Sequence, residues 1–121
     1  MSPRVLAATT DLFLQSRITE VAKSLGLEAE FVSDEAGLEA AVKSVYPILV
    51  ILDLSSTEYD PFSCTQAVKS TSSSLRILGF FPHVRTKLRT RAMNAGVDYV
   101  VPNSGLLKTL KKVLTDELGH I

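Results

Sequence analysis

Ile48, Leu49, Val50, Ile51 and Leu52 form an unbroken aliphatic run that stops at Asp53, with Pro47 in front and Ser55-Ser56 behind. A run this short and this β-branched predicts a strand, and its continuous apolar character predicts cover by helices on both faces. The same plan repeats around it. Arg4 to Ala8 is apolar and halts at Thr9-Thr10-Asp11, three side chains able to accept the free N–H groups of a helix start. Leu12, Leu14, Ile18, Val21, Ala22 and Leu25 then recur at helical spacing until Gly26. Residues 28–32 alternate polar and apolar, which predicts an edge strand with one wet face. Ser33-Asp34-Glu35 predicts a capped second helix, acidic in its first turn, that runs to about Tyr46 and ends at Pro47.

Beyond Asp53 the pattern continues. Asp60-Pro61 opens a third helix with Cys64, Ala67 and Val68 on its apolar side, and residues 70–74 make a polar connector. Residues 75–81 form an apolar fourth strand, closed by Pro82, which cannot donate to a ladder. Leu88, Ala92, Met93 and Ala95 line a fourth helix ending at Gly96. Residues 97–101 make a fifth strand, closed by Pro102-Asn103-Ser104-Gly105, with Ser104 the expected cap of a last helix lined by Leu106, Leu107, Leu110, Val113, Leu114 and Leu118. Five strands alternating with five helices require a parallel sheet, because each right-handed crossover lays its helix on a face. The expected architecture is therefore α/β, a three-layer doubly wound sheet of flavodoxin-like order 2-1-3-4-5. Asp53 then stands at the C-terminal edge, where such sheets gather their chemistry.

Composition narrows this reading. A length of 121 residues suits one domain over 1–121. One cysteine, Cys64, excludes an internal disulfide and reads as a small buried hydrophobe. No charged start leads into an apolar core, so the expectation is a soluble cytoplasmic protein without a membrane segment. Charge sums to zero yet is uneven: residues 28–60 hold eight acids against Lys43, while residues 85–112 hold seven bases against Asp98. That asymmetry predicts one basic face.

The aliphatic strand closed by Asp53, the Ala95-Gly96-Val97-Asp98-Tyr99-Val100-Val101 stretch before the last helix and the five-fold alternation together resemble the receiver domain of bacterial response regulators, a CheY-like fold. The resemblance spans essentially the whole chain. It implies that Asp53 is the equivalent of the phosphoacceptor, served in the family by Mg²⁺ on an acidic pair after the first strand, a hydroxyl after the fourth and a lysine after the fifth. Here the acidic pair falls on Thr9 and Thr10, with Asp11 the nearest carboxylate; the hydroxyl falls on Phe81; the lysine falls on Pro102 or Asn103. Two hydroxyls hold a small hard dication poorly. Phosphoryl transfer also needs its spread negative charge neutralised. The chain accordingly resembles a pseudo-receiver, with no cofactor expected and Mg²⁺ entering only if Asp53 is phosphorylated after all. Asp53 is then a retained structural acid taking backbone N–H bonds, and Asp11 a helix cap.

The resemblance further implies partner docking on the fourth helix, fifth strand and fifth helix, which gather Arg85, Lys87, Arg89, Arg91, Tyr99, Lys108, Lys111 and Lys112. The expected function is a non-enzymatic signalling module that uses this face to bind a protein with an acidic surface, another copy included, largely independent of phosphorylation. Three rivals remain: a conventional receiver phosphorylated on Asp53, a nucleic-acid-binding domain, and a small hydrolase built from Ser104, His83 and Asp53. Zero net charge and few aromatics on the basic segments weigh against nucleic acid. The hydrolase lacks a nucleophile elbow, and no Walker or Gly-x-Gly-x-x-Gly loop supports a nucleotide.

Overall fold

The computed structural model describes residues 3–82 and 86–119, and within them strands and helices alternate throughout. The order is β1 Arg4–Ala8, α1 Leu12–Ser24, β2 Glu28–Val32, α2 Glu35–Val45, β3 Leu49–Asp53, α3 Pro61–Thr71, β4 Ile77–Phe81, α4 Thr86–Ala95, β5 Tyr99–Pro102 and α5 Leu106–Leu118. Three helix starts are made by aspartates. Asp11 accepts from the Phe13 and Leu14 amides, Asp34 from the Gly37 amide, and Asp60 from the Phe62 and Ser63 amides. Each cap satisfies donors that the helix cannot, worth about 1 kcal/mol apiece. The start of α5 differs from expectation: a 3₁₀ turn, Asn103–Gly105, precedes it, Gly105 is the cap residue, and no side chain caps it. Ser104 is therefore held inside that turn. Helix α2 ends at Tyr46, whose φ of 53° is the left-handed conformation usually left to glycine.

All five strands are parallel in order β2-β1-β3-β4-β5, as the alternation predicts. Strand periodicity divides the core in two. Leu6, Ala8, Val50, Leu52, Ile77 and Phe81 pack under α2, α3 and α4 with Leu38, Cys64, Val68 and Ala92. Val5, Ala7, Leu49, Ile51, Leu78 and Phe80 pack under α1 and α5 with Ile18, Ala22, Leu110 and Leu114. Residues 49–52 are fully buried, each contributing about 1.5–3 kcal/mol relative to an exposed side chain. The strands are shorter than their apolar runs. Leu75 lies outside β4 yet stays buried, and β5 starts two residues later than the pattern suggests. Strand β2 is an edge, but after Glu28 its residues are all half-buried and do not alternate, because α1 and α2 shelter both of its faces.

Gly79 in β4 fixes the chain just after Asp53. A Cβ there would come within 2.7 Å of the Leu54 side chain, so the glycine lets Leu54 lie flat across β4. The Leu54 amide also donates to the Phe80 carbonyl at 2.9 Å. Asp53 thus leaves the sheet at a point set by packing.

Candidate functional site

Where β1 and β3 run out together, Thr9, Thr10, Asp11, Ser33, Asp53, Ser55, Ser56, Glu58 and Tyr59 enclose a cleft of about 200 Å³. Asp53 ends a buried strand and is itself half-buried. Its Oδ1 accepts from the Ser55 amide at 2.9 Å and from the Ser55 hydroxyl at 2.8 Å. This is an Asx turn with a second donor, and it ties the carboxylate to its own loop. The backbone donor expected for Asp53 is thus Ser55, two residues on.

Tyr59 was not singled out in the sequence, yet it decides the site. Its hydroxyl donates to the Ala8 carbonyl at 2.7 Å and accepts from the Asp53 amide at 2.8 Å. Ala8 and Leu52 are the last paired residues of β1 and β3. The phenol therefore stands at the end of that ladder and joins two backbone groups that the diverging strands leave apart. Burial pushes its pKa above the ordinary phenol value, with the Asp53 carboxylate adding to the rise, so Tyr59 stays a neutral donor.

Thr9 is buried, its hydroxyl accepting from the Asp11 amide at 3.1 Å and its carbonyl taking the Gln15 side-chain amide at 2.8 Å. Thr10 is exposed. Asp11 lines the cleft but spends Oδ1 on the first turn of α1. A divalent cation would find Asp53, a committed cap and neutral hydroxyls. Among the described residues, no three His, Cys, Asp or Glu side chains converge to hold a metal. This donor set does not fit magnesium.

Phe81 does not fill the rim beside Asp53. Strand alternation sends it into the layer under α2, α3 and α4, where it is 1% exposed, and the residue registered opposite Asp53 is Phe80. Pro102 closes β5, registered opposite Phe81, and Asn103 starts the 3₁₀ turn. His83 and Arg85 lie outside the described residues, so the structure assembles no Ser104, His83 and Asp53 triad among those it describes.

On the basic face, Lys87, Arg89, Lys108, Lys111 and Lys112 are exposed and take part in none of the ion pairs between described residues. Arg91 has other work: its guanidinium stacks over the Phe62 ring at 4.1 Å, pinning α4 to the start of α3. Tyr99 is half-buried in the layer under α1 and α5. Asp98, the one acid of that region, is held by Lys69 at 2.8 Å and by the Ile77 amide at 2.8 Å. Cys64 is fully buried, its thiol 3.8 Å from Glu35, and burial pushes its pKa up to about 12.

The architecture is that of the CheY-like receiver domains of response regulators. A response regulator from Thermotoga maritima superposes with a TM-score of 0.84 at 12% identity over 98% of this chain and 99% of its own. The receiver domain protein of Methanospirillum hungatei JF-1 gives 0.81 at 14% identity, covering both chains completely. An orphan response regulator of H. pylori gives 0.81 at 19% identity over 97% of each. At these identities the likeness is one of fold. No family model matches the chain. Over 72 residues, 60% of the chain, it is 36% identical to the terminal-differentiation-specific adenylate cyclase of Dictyostelium discoideum, of whose length it spans about 3%. Among the described residues no helix is long and apolar enough to cross a membrane.

Proposed function

We propose that the protein is a receiver-like signal-transduction module of the pseudo-receiver kind, non-enzymatic and cytoplasmic, acting through protein contacts on the face made by α4, β5 and α5. The observation that carries this reading is the surroundings of Asp53. Its carboxylate is bound to Ser55, its backbone amide to Tyr59, and the nearest other carboxylate, Asp11, caps a helix. A phosphoryl group on Asp53 would meet hydroxyls and further acids, with no cation lining the cleft. Positioning without charge neutralisation gives little phosphoryl transfer. The basic face supplies what a docking surface needs, an array of exposed cations that attracts an acidic protein surface and steers its approach.

The conventional receiver is the second reading, supported by Asp53 lining an open cleft with Ser55 engaging only Oδ1. One experiment separates the two. Acetyl phosphate, or beryllofluoride, is added with millimolar Mg²⁺, followed by intact mass and amide NMR. The expected result is no phosphoryl adduct and no shift at Asp53, α4 or β5. Saturable modification of Asp53 with shifts reaching α4 overturns the first reading in favour of the second.

A further inference from the structure

The two edges of the sheet carry opposite charge. At the β2 edge stand Glu28 and Glu30 on the strand and Asp34, Glu35 and Glu39 on the adjoining cap and helix. Arg4 pairs with Glu28 at 3.2 Å and Glu30 at 3.4 Å, one cation against two carboxylates. Lys43 is the one further base there, so the edge keeps a net negative charge. At the other edge, α4 carries Lys87, Arg89 and Arg91 with no acid. Helix α5 adds Lys108, Lys111 and Lys112 on its exposed side; of its two acids, Glu117 is paired with Arg76 at 3.0 Å and Asp116 lies near its end.

Distance keeps these patches independent. The order β2-β1-β3-β4-β5 puts four strand spacings between the edges, about 19 Å at roughly 4.8 Å each. That is about two Debye lengths at 0.1 M salt, so neither patch neutralises the other within one molecule. Formal net charge is zero, and no overall repulsion holds copies apart. Pro102 limits ladder extension from the four-residue β5, which leaves charge as the main attraction.

We propose that a second copy of this chain is a partner of the basic face, the α4, β5 and α5 surface of one molecule docking head to tail on the β2 and α2 edge of the next. This names a partner for the docking face and rests on that face being one. Two basic patches repel across a two-fold axis, so the contact is heterologous and each assembly ends in one free acidic and one free basic edge. The product is a salt-sensitive chain that lengthens with protein concentration.

Sedimentation velocity on the full chain tests this at about 20 mM and about 0.5 M salt. At low salt the weight-average mass should rise past that of a dimer with concentration; at high salt it should return to the 13.2 kDa monomer. One variant neutralises the basic face with Arg89→Gln, Lys108→Gln and Lys111→Gln. A second neutralises the acidic edge with Arg4→Gln, Glu28→Gln, Glu30→Gln and Glu39→Gln, leaving the Asp34 cap intact. Unchanged circular dichroism shows that both fold. Each alone should be monomeric, and their mixture should form a one-to-one dimer that grows no further, because one retains only the acidic edge and the other only the basic face. A parent protein that stays monomeric at low salt, one that stops at a dimer, or single variants that still form chains overturn the proposal. A monomeric parent whose basic-face variant loses binding to a different acidic protein overturns self-association alone and leaves the docking face standing.

Discussion

Replacing Tyr59 by phenylalanine removes one oxygen atom and leaves two backbone groups to find new partners. The hydroxyl gives the Ala8 carbonyl a 2.7 Å bond and takes a 2.8 Å bond from the Asp53 amide, on the half-buried floor of a cleft of about 200 Å³. Each such bond contributes about 0.5–1.5 kcal/mol net, and a buried group left unpaired costs about 1–3 kcal/mol. The cleft is large and polar enough for water to reach the vacated position, which favours the lower range. The expected loss is therefore about 1–3 kcal/mol. With a urea slope on the order of 1.5 kcal/mol/M for a domain of this size, the midpoint falls by roughly 0.7–2 M at constant slope. Amide exchange at Asp53 should accelerate together with that of Ser55, while exchange at Leu49 follows only the global loss. A loss below about 0.5 kcal/mol, or unchanged protection at Asp53, refutes the reasoning, because the ladder would then close without the phenol.

Millimolar Mg²⁺ should leave the thermal midpoint unchanged, since stabilisation by linkage requires occupancy of the folded state; saturable stabilisation at sub-millimolar concentration would show that Thr9, Thr10 and Asp11 suffice. Phe81→Thr should destabilise by about 2–4 kcal/mol, because it empties a core position and buries a hydroxyl there, and should yield no phospho-Asp53 by intact mass. Stability should fall as pH rises above about 9. Cys64, pushed up to about 12 by burial from an ordinary 9.0, and Tyr59, raised from 10.0, both stay protonated when folded, whereas the unfolded chain releases these protons first. The slope reaches about 1.4 kcal/mol per pH unit for each group, and thermal melts of Cys64→Ala and Tyr59→Phe should each be flatter above pH 9 than the parent. Reversing Arg89, Lys108 and Lys111 to Glu should abolish salt-sensitive capture of an acidic protein while Asp53→Asn preserves it; dependence on Asp53 in the same pull-down points back to phosphorelay.

The fold was legible because its signals are local. Every strand is a short apolar run, three helix starts are written as aspartates, Gly26 and Gly96 take the positive φ that ends α1 and α4, and alternation leaves parallel pairing as the remaining option. Asp53 was legible as the end of the buried strand, and so was the want of carboxylates and cation around it. What tertiary structure alone decided are contacts between residues that no period links. Tyr59 looks like a loop aromatic until β1 and β3 diverge and leave Ala8 and Asp53 facing its hydroxyl. Arg91 counts as a surface cation until α4 packs on α3 and puts its guanidinium over Phe62. Phe81 belongs to the rim by counting and to the core by strand parity, a single-residue distinction that composition does not register. Charge follows the same division: the sequence separates acids from bases along the chain, and strand order β2-β1-β3-β4-β5 turns that separation into two opposite edges of one sheet, too far apart to screen each other.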